Sequence, residues 1–202
     1  MSPVKESATE QRILDAARRV FLRKGMMGAR MQEVADEAGI NKALLHYYFR
    51  DKQRLFEEVF CVCGKHGLSG VWEELTRERP LFENIRAFVA AFHAAITREP
   101  LFPHFLLSEL QRDPQHLLKL VDLGKGAREH FFRQVLEAQR RQEIIPIDPR
   151  QLMVNIMAWC QFPHVAAPII KHVGGMDQKA FNQFLNERST LVAELIIRSI
   201  RA

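Results

Sequence analysis

The stretch Met31–Phe49, MQEVADEAGINKALLHYYF, decides how the rest of the chain reads. Met31, Val34, Ala35 and Ala38 fall at i, i+3, i+4 and i+7, one apolar stripe on a short helix. Gly39 ends that helix, in a slot where a residue without Cβ turns left-handed at no steric cost. Ile40 follows as an apolar plug, and Asn41 offers a side-chain oxygen to the free N–H groups of a second helix. On that helix Leu45 and Phe49 share a face and must point inward. Lys42, Ala43, His46 and Tyr47 share the opposite face: a cation, a small residue, an imidazole and a phenol. A helix, a tight glycine turn and a second helix with a polar-aromatic outer face make the pattern of a helix-turn-helix.

Working outward, Thr9 is the expected cap of a first helix running to about Lys24. Ile13, Ala17, Val20 and Phe21 form its inner stripe, Arg12, Arg18, Arg19, Arg23 and Lys24 line its other sides, and Gly25 stops it. Downstream, Lys52 starts a fourth helix with Leu55, Phe56, Val59 and Phe60 inward. Gly64, Gly67 and Gly70 predict a kink or break beyond it, since each weakens a helix.

The remainder also reads as helices. One opens at Pro80 and ends near Arg98, with Ile85, Phe88, Val89 and Phe92 inward. A short apolar segment covers Leu101 to Arg112, and another helix is expected from Asp113-Pro114 to Glu143, with Gly124 and Gly126 as candidate interruptions. Asp148 caps a helix with Pro149 at its first position, kinked at Pro163 and Pro168. Gly174-Gly175 is a turn, and Asp177 caps a last helix to about Arg201. No strand-like alternation stands out, so the expected fold is all-α. The expected division is a helix-turn-helix domain over 1–54 and a helical domain over 55–202.

Of the net charge of +5, residues 1–54 carry +4 (11 Lys/Arg against 7 Asp/Glu), and 55–202 carry +1 (18 against 17). A basic excess beside the helix-turn-helix suits a polyanion, because counterion release drives much of DNA binding. The hydrophobic fraction of 47% over 202 residues is enough for a real core. No run of about 18 apolar residues predicts a membrane span, and the first residues, MSPVKESATEQR, hold no apolar signal region. Three cysteines, Cys61, Cys63 and Cys160, make no disulfide framework, so a reducing cytoplasm is the expected setting.

Residues from about Glu10 to Phe60 resemble the DNA-binding domain of the TetR family of bacterial transcriptional regulators. The resemblance rests on Ile13-Leu14-Asp15-Ala16-Ala17, Phe21, Gly25, Val34-Ala35, Ala38-Gly39-Ile40-Asn41-Lys42, Leu45-His46-Tyr47-Tyr48-Phe49, Lys52 and Leu55-Phe56. It implies a double-stranded, pseudo-palindromic DNA operator contacted by Arg30, Gln32, Asn41, Lys42, Ala43, His46, Tyr47, Tyr48 and Lys52. Family members usually have Thr or Ser near positions 29 and 30; here Ala29 and Arg30 stand there, and Arg30 takes the place of a hydroxyl phosphate contact. His46 sits where the family more often has Tyr. Tyr48 and Lys52 are the expected phosphate holders, while Gln32 reads as a base contact or as a solvated residue. The resemblance further implies a homodimer, with Phe162, Phe181, Phe184, Leu191 and Leu195 at the interface. It implies a repressor released by a small apolar effector, in a pocket drawn from Phe88, Phe92, His93, Phe105, Phe131, Val135, Met157 and Trp159.

No catalytic constellation, cofactor loop or resident metal is expected: there is no HExxH, CxxC or Gly-rich phosphate loop. Cys61 and Cys63, two apart on a helix, diverge. A metal-sensing alternative would have to bring His93, His104 and Cys160 to a common point.

Overall fold

A computed structural model of the chain describes residues 3–67, 69–115 and 124–202 (side chains over 8–62, 70–115, 124 and 126–202). Its regular elements are helices: α1 Pro3–Gly28, α2 Met31–Ala38, α3 Lys42–Tyr48, α4 Lys52–Gly67, α5 Ser69–Glu73, α6 Leu81–Arg98, α7 Phe102–Arg112, α8 Lys125–Arg140, α9 Pro149–Val165, α10 Ala167–Val173 and α11 Gln178–Ile200. A short 3-10 turn covers Glu74–Thr76, and one isolated bridge pairs Ile144 with Arg201. The fold is all-α. Among the described residues no single helix is long and apolar enough to cross a membrane.

The chain forms two compact units. The first holds residues 1–66 together with 104–122; the second holds 67–103 and 123–202. The line therefore falls beyond residue 54, and the first unit recruits a segment from far downstream.

In the first unit α1 begins at Pro3, so Thr9 lies inside the helix and is not its cap. Proline suits a first turn, where its missing N–H would go unpaired anyway. Gly25 does not end α1 but kinks it, at φ 65° and ψ 176°, and helical backbone resumes to Gly28. At the kink the Met26 N–H donates to Glu109 Oε1 of α7 at 3.1 Å, while Arg112 Nε donates to Glu109 Oε2 at 2.7 Å. The carboxylate is buried and its two oxygens are both engaged.

The core of this unit follows the sequence stripes. Ile13, Ala17, Val20 and Phe21 of α1 are buried with Val34, Ala35 and Ala38 of α2, Leu45 of α3, and Leu55, Phe56, Val59 and Phe60 of α4. Phe21 meets Phe56 edge-on at 5.4 Å. Phe105 packs at 5.6 Å from Phe56 and 5.7 Å from Phe60. Phe105, expected at an effector pocket, thus packs into the aromatic core behind the helix-turn-helix. Each such ring, fully buried, contributes on the order of 2–3 kcal/mol by area removed from water.

The second unit is built on α6, α8, α9 and α11. Ile85, Phe88, Val89 and Phe92 face Phe131 and Val135, Leu152 and Ile156, and Val192, Ile196 and Ile200. Trp72 closes the layer over Phe88 at 5.5 Å. Gly124 approaches Trp72 so closely that an added Cβ would lie 2.7–2.9 Å from it, and its φ of +61° is left-handed. Asn84 is a buried polar node: its amide donates to Gln134 and the Arg77 carbonyl, and its oxygen accepts from Arg79. The Asp148 and Asp177 side chains cap α9 and α11 by accepting from the Arg150 and Ala180 N–H groups. Pro163 sits inside α9, and the chain turns by 73° between α9 and α10 just before Pro168. Leu68 and residues 116–123, and with them the first part of the helix expected from Asp113-Pro114 to Glu143, lie outside the described residues; its later part is α8.

Candidate nucleic-acid interface

The two helices of the motif are locked to one another from both ends. Gly39 adopts φ 63° and ψ 39°; its N–H and that of Ile40 fold back on the Asp36 and Ala35 carbonyls. Asn41 Oδ1 accepts from the Leu44 N–H at 2.8 Å and so starts α3. Asn41 spends its side-chain oxygen on this cap. Leu45 and Phe49 anchor the inner face of α3, both buried. Because those two anchors fix the rotation of α3 about its axis, Lys42, Ala43, His46 and Tyr47 are all presented outward. Tyr47 is 70% exposed, an unusual state for a large aromatic, and its ring meets Tyr48 edge-on at 5.4 Å.

Three expected contacts look different in the structure. The Tyr48 hydroxyl is buried and has no hydrogen-bond partner. As placed, it faces protein and not phosphate, because Tyr48 turns toward the inner side of α3 while Tyr47 turns out. Lys52 Nζ donates to the Ala29 carbonyl at 3.2 Å. It thereby clips the start of α4 to the turn before α2, with two ammonium protons left over. Gln32 Nε2 donates to Asp36 Oδ1 at 2.8 Å, so its amide nitrogen is tied along α2.

The start of α2 lacks a side-chain cap from position 30. Arg30 is extended and exposed, and the Glu33 carboxylate reaches back to accept its N–H at 3.2 Å. Glu33 also accepts from Lys24 at 2.7 Å, while Glu37 accepts from Arg19 at 2.8 Å and Arg23 at 3.0 Å. The Lys24 ammonium first, then the Arg30 N–H, holds the Glu33 carboxyl below its ordinary range; Arg19 and then Arg23 do the same for Glu37. These three basic residues of α1 are therefore matched to α2, a pairing that no stripe within one helix reveals. On the outer face of the motif, Arg30, Lys42 and Arg50 stay exposed.

The residues expected around an apolar effector mostly form solid core. Phe88, Phe92, Phe131 and Val135 are buried against each other and their neighbours, and Met157 packs at the edge of that cluster. A cavity in this unit is instead lined by His93, Trp159, Cys160, His164 and Arg188, with Val89 and Val192. Only His93 and Trp159 belong to the expected set. At about 20 Å³ it has room for one water, not for an organic effector. Burial pushes the Cys160 thiol up to about 12, and burial, with His93 and Arg188 nearby, pulls His164 down to about 4. Both groups are held neutral. Among the described residues no group of three or more His, Cys, Asp or Glu side chains is placed to hold a metal ion.

The expected interface residues divide. Phe162 is 63% exposed, and Leu191 and Leu195, one turn apart on α11, are also exposed. Phe181 is only 4% exposed within this single chain and stacks on half-buried Phe184 at 6.1 Å. Phe181 is thus covered within its own chain, unlike Phe162, Leu191 and Leu195. Val154 of α9, and Ile169 and Val173 of α10, were missed and extend the uncovered apolar surface, to which the half-exposed Trp159 ring also contributes. Val154 and Phe162, eight apart on α9, lie on one stripe and carried that signal in the sequence.

A helix-turn-helix with an outward polar-aromatic face on its second helix is the arrangement with which regulators of this class enter the major groove. Residues 13–59 match the TetR_N family, described as bacterial regulatory proteins, tetR family. The chain is 26% identical to the HTH-type transcriptional regulator RutR of Escherichia coli K12, over 96% of this chain and 92% of that one. It is 24% identical to the HTH-type transcriptional regulator UidR of the same strain, over 68% and 70%. Among solved structures it shares its fold with HlyIIR, a hemolysin II transcriptional regulator, at TM-score 0.68, 22% identity and coverage of 97% and 98%. The TetR-family regulator PfmR of Thermus thermophilus aligns at TM-score 0.69, 19% identity and coverage of 93% and 94%. Residues 13–59 thus carry a TetR-family helix-turn-helix domain, and the relatives that align along the rest of the chain are transcriptional regulators.

Proposed function

We propose that the chain is a cytoplasmic, homodimeric repressor that holds a pseudo-palindromic operator with α3 and is released from it by a small-molecule effector. The observation that carries this reading is the outward face of α3, where Lys42, Ala43, His46 and exposed Tyr47 stand together over two buried anchors. Tyr47 and His46 reach base edges, Lys42 reaches a guanine or a phosphate, and the Ala43 methyl meets a thymine methyl. Arg30 and the remaining protons of Lys52 hold phosphates, and Asn41 serves by starting the helix.

One such helix reads too few bases for useful affinity, and two-fold pairing doubles the contacts. The uncovered stripes of α9 and α11, through Phe162, Leu191 and Leu195, support that pairing. The two reading helices would then lie about 34–36 Å apart, one turn of duplex. An effector that prefers another arrangement of the helical body shifts this spacing. The core around Phe88, Phe92 and Phe131 is closed, so an effector seated among those rings would have to open it.

The test is binding of Tyr47→Ala to a duplex selected from a random pool, beside an unrelated duplex. Specific affinity should fall by about tenfold or more, with non-specific affinity little changed. Equal loss on both duplexes removes Tyr47 as a reader. A wild-type chain that selects no sequence would point to a helical small-molecule binder with a vestigial head.

A further inference from the structure

His46 differs from its neighbours on α3 in one respect: one of its two ring nitrogens is already engaged by the backbone. The chain bends after Phe49, and the Arg50 carbonyl comes to 3.2 Å from His46 Nδ1. A carbonyl oxygen carries no proton, so this bond forms only when Nδ1 does. An uncharged imidazole with its proton on Nδ1 has a bare lone pair on Nε2. The ring is exposed, and its helix face is shared with Lys42, Ala43 and Tyr47. Lysine only donates, alanine does neither, and a phenol does both. The Asn41 oxygen is occupied by the Leu44 N–H. On this face His46 Nε2 is therefore the obligate acceptor.

The major groove offers such an acceptor two partners only, the N6 amino group of adenine and the N4 amino group of cytosine. Guanine O6 and N7 and thymine O4 are themselves acceptors and repel the lone pair. We propose that His46 reads an exocyclic amino group, so that one position in each operator half-site is restricted to adenine or cytosine. A tyrosine at this place could turn its hydroxyl to donate or accept; the Arg50 carbonyl removes that freedom from histidine. The inference rests on α3 being the reading helix, as proposed above.

The experiment selects duplexes from a random pool with the full-length chain, wild type and His46→Ala, at about pH 8, where imidazole is ordinarily uncharged. Wild type should enrich adenine or cytosine at one position per half-site, and His46→Ala should lose that preference alone. In the selected duplex, that base is then replaced by its analogue without the amino group, 2-pyrimidinone for cytosine or unsubstituted purine for adenine. Wild-type affinity should drop roughly three- to tenfold, as for one net hydrogen bond, with no drop for His46→Ala. This second arm probes the unaltered protein, so it holds even if the variant misfolds. An identical motif for both proteins, a guanine or thymine at the His46-dependent position, or full wild-type affinity for the analogue overturns the proposal while DNA reading stands. If wild type enriches no sequence, the DNA-reading role of α3 falls first and this assignment with it.

Discussion

Replacing Glu109 by alanine should loosen the kink of α1 more than its distance in sequence suggests. The carboxylate, buried between α7 and the Gly25–Met26 kink, accepts from the Met26 N–H and from Arg112 Nε. In Glu109→Ala the Met26 N–H loses its acceptor in a buried setting, which costs about 1–3 kcal/mol. Arg112 is about a third exposed, so solvent recovers most of its guanidinium and adds at most about 1 kcal/mol. Relief of the buried carboxylate's own desolvation offsets part of this, leaving a net loss of about 2 kcal/mol. Local opening at Met26 should then become roughly 30-fold more frequent, since about 1.4 kcal/mol is a factor of ten. Native-state hydrogen exchange of a peptide spanning residues 22–30, read by mass spectrometry, measures this directly. Glu109→Gln, which keeps an acceptor for Met26 but points an amide at Arg112, should fall between the two. Unchanged exchange of that peptide in Glu109→Ala would refute the assignment of Glu109 as the clamp on the kink.

The other predictions concern the second unit. Gly124→Ala forces a methyl to within 3 Å of Trp72 at a left-handed φ, so it should cost about 2–4 kcal/mol and lower the melting temperature by several degrees, followed by tryptophan fluorescence; a wild-type melt would contradict the packing. His164 has its folded value lowered to about 4, so between there and its ordinary 6.5 the unfolded chain binds more protons. Its contribution, on the order of 2–3 kcal/mol, should be complete above about pH 6.5 and lost as pH falls toward 4, and His164→Asn should flatten that part of a urea-midpoint profile. The same pH slope in both proteins would remove His164 as its cause. Leu195→Glu together with Phe162→Glu should give monomers in sedimentation with unit stability retained, whereas Phe181→Ala should destabilise by about 3–4 kcal/mol. Dimers that survive the double glutamate variant would place the interface elsewhere.

The helix-turn-helix was legible because its signals are local. Gly39, Asn41, Leu45 and Phe49 each act within four residues of themselves, and each stands in the structure as its chemistry predicts. The Asp148 and Asp177 caps were legible for the same reason. What stayed hidden is tertiary. Phe105 and Glu109 join the first unit across a gap of some 40 residues, and periodicity within a helix says only which face is apolar, not which neighbour covers it. The basic residues of α1 could be placed off its apolar stripe, but their partners, Glu33 and Glu37, stand on α2 and become visible only once the two helices pack. Tyr47 and Tyr48 are adjacent and chemically identical, and only the rotation of α3 separates an exposed ring from a hidden hydroxyl. Phe181 carried the same apolar signal as Leu195, but one is covered by its own chain and the other is not.

The discontinuous make-up of the first unit matters to anyone building chimaeras from this protein. A graft cut once, after the fourth helix, would strip Phe56 and Phe60 of the Phe105 ring and leave the Met26 amide with nothing to bind. A transplanted head needs two splice points, so that the stretch from His104 to Arg112 travels with it.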